Sequence, residues 1–438
     1  MPVSHRLPRA RLSWAALAVL VLAVLAGCTL KSGGYNTTSP PKLRFFNASA
    51  DIGAIDVAVG GTQAINLLSY ETYSSYRPTA IGPQPITVTL SGSTTQVLET
   101  TQDFENGNRF SYVFYGRPSA PAALLLADNV DVPGGGSVKL RFANVATEQG
   151  PLDLYITNPG ESLDNASPFI SGVGLGSATG YIDRGSGSAE IRITPSGSKT
   201  VLYDSGQITL SERNSYAIVA YSRGDPNQVN VGLLTMDTLG SGAALNSIVA
   251  ATRVVNAAPG DAAVNAGLPN NVTISGVAYG TASPYQIVTS GTQTVNFANA
   301  ATPGTNLVSG TVLLPPGGDA TMVLYGNAGA EHAISLQDFN YLPTTPGNAR
   351  VRVVNVGSDV GSVTTLVNGT LTVGALINGS PSLYFELPAG TYLFSFVDSA
   401  SSASLLDVPN VALAAGHTYT LFLIGPAGHL GYLLTQDR

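Results

Sequence analysis

Four segments of this chain open on the same short strand, and that recurrence constrains its fold more than any other feature. They read Leu43-Arg44-Phe45-Phe46-Asn47-Ala48, Leu140-Arg141-Phe142-Ala143-Asn144-Val145, Thr252-Arg253-Val254-Val255-Asn256-Ala257 and Val351-Arg352-Val353-Val354-Asn355-Val356. Each carries an arginine, two residues and an asparagine. The unit recurs roughly every 100 residues, the size of an immunoglobulin-like sandwich. A second marker stands twelve residues after each arginine, at Asp56, Asp153, Asn265 and Thr364. A third is a tyrosine, at Tyr76, Tyr181, Tyr285 and Tyr384, and a fourth is an apolar strand near the end of each copy, such as Tyr112-Val-Phe-Tyr115.

Within each copy the local pattern is that of strands. Ile86-Thr-Val-Thr-Leu90 and Ile191-Arg-Ile-Thr194 alternate apolar with polar, as a half-buried strand does. Turn sequences such as Leu314-Pro-Pro-Gly-Gly318 and Leu387-Pro-Ala-Gly390 separate them. The expected fold is all-β, four tandem immunoglobulin-like antiparallel β-sandwiches over 43–136, 137–247, 248–347 and 348–438. Tyr112, Tyr216 and Tyr419 each open a late strand, which suggests a tyrosine corner in three copies, whereas the third has Met322 there. Short junctions between copies suggest neighbours that pack, strung into an extended, curved rod or stalk.

The segment before the repeats has a different character. Arg6, Arg9 and Arg11 precede the apolar run Trp14–Ala26, which is too short to span a bilayer but suits a signal peptide over 1–27. The run ends in Leu25-Ala26-Gly27-Cys28, which resembles the lipobox of bacterial lipoproteins, and Cys28 is the one cysteine of the chain. The resemblance implies lipidation at Cys28, membrane attachment, and a flexible tether over 28–42. Thr29 in place of Asp implies the outer membrane in a Gram-negative host. No second cysteine is present to form an internal disulfide.

Only 11% of the residues are charged, against roughly 25% in ordinary soluble proteins. Without the three leader arginines, 17 basic residues face 27 acidic ones. That balance, with no basic run, argues against nucleic acid as a partner.

The repeats resemble the bacterial domain of unknown function 4397 in their Arg-to-Asn opening strand, following Asp, Tyr strand and closing Tyr strand ending in Gly. The fourth copy follows the pattern through Arg352, Asn355, Tyr384, Leu387-Pro-Ala-Gly390, Tyr419 and Gly425, and the third is expected to be the most divergent. The resemblance implies a sandwich in an exported protein and brings no activity with it.

No catalytic, metal or cofactor site is expected. His332, His417 and His429 lack metal-ligand spacing and read as loop residues, and no Gly-x-Ser-x-Gly elbow is present. Replacement of Asp56 and Asp153 by Asn265 and Thr364 keeps an oxygen acceptor while losing the charge. These positions are therefore expected to bond turns, with Arg44, Arg141, Arg253 and Arg352 lying along the sandwich exterior. The candidate contact patch is Tyr70, Tyr73 and Arg77, which the other copies do not repeat. The expected role is that of a non-enzymatic envelope protein acting through protein or glycan contacts; the alternatives are a carbohydrate-binding or adhesion module and an envelope hydrolase.

Overall fold

The computed structural model describes residues 39–223 and 228–438, which contain strands and no α-helix. The signal segment, Cys28 and all but the last residues of the tether lie outside the described residues. In the first repeat, the opening strand Lys42–Asn47 lies between the short strand Arg77–Pro78 and the long strand Arg109–Arg117, which pairs onward with Ala120–Ala127. The facing sheet runs in the order Thr62–Leu68, Ile55–Val59, Gly82–Leu90, Gln96–Phe104. The same two-sheet plan recurs in the other three repeats, and the second adds an edge strand, Gly242–Leu245. One pairing per repeat departs from the antiparallel expectation. The opening strand runs parallel to the late apolar strand, with Phe45 opposite Tyr112 and Val353 opposite Leu421.

Strand alternation sends Leu43, Phe45, Tyr112 and Phe114 inward, against Ile55, Val57, Ile86 and Val88 of the facing sheet. Corresponding cores fill the other three sandwiches. The opposite face of the same strands is not left to water. Phe46, Ala48, Val113 and Tyr115 pack against Ala143, Val145, Val219 and Tyr221 of the second repeat. Val255, Ala257, Val323 and Tyr325 of the third repeat meet Val354, Val356, Phe422 and Ile424 of the fourth in the same way. These strands are buried on both faces, which is why they read as almost unbroken apolar runs. The four sandwiches thus form two face-to-face pairs. Glycine permits the closest approaches. Gly176 (φ +71°) and Gly379 (φ +77°) lie under the hydroxyls of Tyr115 and Tyr325 from the neighbouring repeat, where a Cβ would sit 2.7 and 2.6 Å from the oxygen.

The two pairs also meet, and this overturns the expectation of an extended rod. Arg438 of the fourth repeat reaches back to Asp51 of the first at 2.7 and 2.9 Å, and to Glu148 of the second at 2.6 Å. Gln228 of the second repeat donates to Asp319 of the third at 2.8 Å. The rod failed as a reading because it treated every outward strand face as solvated, whereas one sheet of each sandwich spends its outer face on a neighbour.

Phe46 isolates this difference. Its ring stands edge-on to Tyr221 at 5.4 Å and over Gly232, outside its own sandwich core. Phe46→Ala is expected to lower stability in denaturant unfolding by about 3–5 kcal/mol, the cost of emptying a packed aromatic site. A change near zero would mean that the face is solvated.

Candidate functional site

The asparagine of the opening strand does the same work in each copy. Asn47 donates to the carbonyls of Gly53 and Leu68 at 2.9 and 3.0 Å and accepts from the Ser49 amide at 3.0 Å. Asn144, Asn256 and Asn355 repeat these bonds with their own neighbours. Each is buried, so a two-donor, one-acceptor amide satisfies three backbone groups that would otherwise be orphaned. Asp56 accepts from the amides of Leu67 and Gly92 and the hydroxyl of Ser91, and those bonds hold its carboxyl below the usual range. Asp153, Asn265 and Thr364 accept from or bond to the equivalent turns.

The four arginines do not lie on the exterior. Arg44, Arg141, Arg253 and Arg352 are buried, between 1% and 5% exposed. Each sits beneath the marker tyrosine of its own repeat, Tyr76, Tyr181, Tyr285 or Tyr384, at 4.8–5.0 Å from guanidinium carbon to ring centre. Each also crosses into the paired repeat. Arg141 donates to Asp128 at 2.5 Å and to the Ala127 carbonyl at 2.7 Å, and Arg44 in return reaches the carbonyls of Thr235 and Ser241. Arg253 pairs with Asp437 at 2.5 Å and Arg352 with Asp338. Both partners are carried by the last strand of a repeat or follow directly after it. Burial alone would raise the Asp338 carboxyl, but Arg352 and Arg253 together hold it below its usual range. The exterior expectation failed because an arginine inside an apolar strand was read as facing water, whereas its outward face meets another protein layer.

Of the three residues expected to form a contact patch, only Arg77 is exposed. Tyr70 packs edge-on against Tyr221 and Tyr341 and donates to the Ser222 carbonyl at 3.0 Å. Tyr73 packs into the layer between the first and second repeats, over Gly242. The histidines also divide. His332 stands on the strand Ala330–Asp338 beside Tyr325, outside the loop expectation, whereas His417 and His429 lie in loops, with Nδ1 of His417 donating to the Arg438 carbonyl at 3.2 Å. The corner geometry holds for Tyr419, whose hydroxyl accepts from the Ala414 amide at 3.2 Å, while Tyr112 bonds Thr100 on a strand. No group of three or more His, Cys, Asp or Glu among the described residues is placed to hold a metal.

Arg77 lines a cleft of about 490 Å³ between the edges of the two sheets of the first repeat, within the range of small-ligand sites. Its apolar wall is formed by Leu43, Phe45, Val59 and Ala64, and Thr62, Gln63, Thr79 and Gln84 supply polar groups. Two Gln Nε2 groups are spent on local carbonyls, those of Gln63 on Ile65 and of Gln84 on Ile81. The same place in the third repeat holds about 10 Å³. There Leu268 replaces Val59, Pro269 replaces Gly60 and Thr289 replaces Ala80, so larger side chains close the gap. A second hollow, of about 370 Å³, lies where the first, second and fourth repeats meet, but its Arg117, Glu148 and Arg438 are paired with one another.

The sequence model of the domain of unknown function 4397 matches residues 41–155, 250–366 and 358–438, well over half of the chain. The chain belongs to this family. No curated protein matches it in sequence. Among solved structures, it is similar at 10% identity to an α-glucan-binding streptococcal virulence factor, over 42% of this chain and 93% of the other, with a TM-score of 0.17. Family 41 carbohydrate-binding modules from streptococcal virulence factors match at 10% identity over 43% and 95%, with a TM-score of 0.16. A multi-modular glycogen-degrading pneumococcal virulence factor matches at 9% identity over 83% and 37%, with a TM-score of 0.17. Likeness at that level says nothing of what this chain binds.

The family match reaches the third repeat and leaves 156–249 uncovered, so the second repeat, rather than the third, departs most from the domain of unknown function 4397. Its side chains give a physical reason. Ser111, Thr321 and Thr420 donate to the acids Asp128, Asp338 and Asp437. In the second repeat these two places hold Ala217 and Met236, and Nε of Arg141 and the Tyr181 hydroxyl are left without partners. The first pair therefore buries Arg44 and Arg141 around one carboxylate, and Met236 sulfur stands 3.4 Å from Arg44 in place of the second.

The second repeat also contains a carboxyl pair that the sequence reading missed. Glu190 is buried and accepts from the Gly160 amide at 2.6 Å, 3.9 Å from the Arg192 guanidinium. Burial, and then the Glu190 carboxyl, push Asp204 up to about 6, against the Gly206 amide that pulls it down. Neither carboxyl lines the clefts described above. Because the folded state holds the Asp204 proton more tightly than the unfolded chain, this group favours folding below about pH 4 and loses that contribution as pH rises towards 6. Asp204→Asn, which mimics the protonated acid, is expected to raise Tm at pH 7.5 and to leave it unchanged near pH 4. An equal shift at both pH values would contradict the assignment.

Proposed function

We propose that this chain is a non-enzymatic, lipid-anchored protein of the cell envelope. Its four sandwiches form one scaffold, and it meets a glycan or protein partner through the first repeat. The observation that carries this reading is the fate of the repeated polar residues. Arg, Asn, Tyr and Asp recur in the copies, and their side chains are spent on turns, clamps and the joints between repeats. What recurs in this protein is architecture, and an accessible cleft with an exposed cation, Arg77, lies in the first repeat. Lipid on Cys28 would tether the scaffold to the membrane through the segment that precedes the first repeat. Two or more acyl chains hold a protein firmly where one does not. The outer membrane is the expected location in a Gram-negative host. A carbohydrate-binding role is the second reading, and the hydroxyl- and amide-lined cleft favours it.

Fractionation of cells carrying the native protein or Cys28→Ala tests the anchor. The native protein is expected in the membrane fraction and the variant in the soluble fraction. External protease on intact cells then reports the side on which the scaffold faces. A Cys28→Ala protein that stays as firmly membrane-bound would contradict the anchor.

A further inference from the structure

We infer that the cleft of the first repeat is a binding site for an acidic saccharide, one or two sugar units carrying a carboxylate. This rests on the reading of that cleft as the contact site and assigns the chemistry of its ligand. The cleft is open by construction. At the positions of Val59 and Thr79 the third repeat has Leu268 and the fourth has Leu387, each packed against the core of its own sandwich. The family scaffold thus folds readily with this space filled, and the first repeat keeps it empty at about 490 Å³.

The groups around the space select a ligand. Arg77 is exposed and has no hydrogen-bond or ion-pair partner among the described residues, and no carboxylate lines the cleft. Its fork of donors matches a carboxylate in bidentate fashion. Around it stand Oε1 of Gln63 and of Gln84 and the hydroxyls of Thr62 and Thr79, also without side-chain partners among the described residues. These are mostly acceptors, and they call for a ligand dense in hydroxyl donors. An apolar peptide side chain or an acyl chain would strip water from them and return no hydrogen bond, at a cost of about 1–3 kcal/mol for each group left unmade. The walls, Val59, Ala64 and Ala80, are small and flat and suit the C–H face of a sugar ring. The aromatic ring at the base, Phe45, is only 2% exposed. Recognition is therefore by hydrogen bonds and charge, with no stacking platform.

The test titrates the full chain with di- and trisaccharides of galacturonate and of glucuronate, and with their neutral galactose and glucose counterparts, by calorimetry. Binding of an acidic sugar is expected, weakening as salt rises. It should fall at least ten-fold in Arg77→Ala, less in Arg77→Lys, and be lost in the cleft-filling Val59→Leu/Thr79→Leu protein. That double variant uses residues the other repeats already carry, and an unchanged unfolding midpoint verifies that it is folded. Equal affinity for neutral sugars, undiminished in Arg77→Ala, would overturn the acidic specificity while leaving the cleft as a glycan site. Binding that survives filling of the cleft, or no binding of any of these sugars by the folded chain, would overturn the assignment outright. The membrane fractionation is unaffected by either result.

Discussion

The arginine buried between paired sandwiches is the interaction on which the rest of the structure depends. A guanidinium in an apolar layer is tolerated when its charge and its donors are met, and for Arg141 a tyrosine ring, a carboxylate and a main-chain carbonyl meet them. The bonds cross from one repeat to the next in both directions, as in an isologous dimer. They fix which faces meet and in what register, while the surrounding Val, Ala, Phe and Tyr side chains supply the apolar burial. The second repeat shows the tolerance of this design. Met236 and Ala217 stand where an acid and a hydroxyl belong, and its joint survives on one carboxylate, Asp128, together with carbonyl acceptors.

Joining the sandwiches in pairs has a consequence for function. A face consumed by a neighbour is unavailable to a ligand, so Tyr70 and Tyr73, attractive as a contact patch, become packing between repeats. Surface chemistry is confined to sandwich edges and loops. The edge of the first repeat is open, with smaller residues at the positions filled by Leu268 in the third repeat and Leu387 in the fourth. Divergence among copies, more than their shared residues, thus marks where this family member contacts something else.

Much of the fold was legible from the sequence. The four opening strands gave the repeat, the alternation at Ile86–Leu90 gave half-buried strands, and turn residues separated them. The exchange of Asp56 for Asn265 and Thr364 pointed to hydrogen bonding, and the structure has those groups on turns. The joints were written there too but went unread. Tyr112–Tyr115 and Tyr216–Ala220 are apolar at every position, which in a strand means burial on both faces. A sequence with 11% charged residues that places an arginine within each such layer was indicating a buried charge. The acids that meet those arginines could not be seen by spacing, because Asp128 serves Arg141 of the next repeat and Asp437 serves Arg253 of the preceding one. The cleft was invisible for another reason: it depends on the difference in bulk between Val59 and Leu268, which has meaning only once both are placed in the same fold.

The most direct test of this account is the unfolding free energy of Asp128→Asn, compared with Asp131→Asn at an exposed site nearby. Asp128 is fully buried and is the carboxylate shared by Arg44, Arg141, Tyr76 and Ser111. The account predicts a loss of about 3–5 kcal/mol for Asp128→Asn, as for a buried charge deprived of its partner, and almost none for Asp131→Asn. Equal stability of the two variants would contradict it, because the first two repeats would then be held together without the arginine joint.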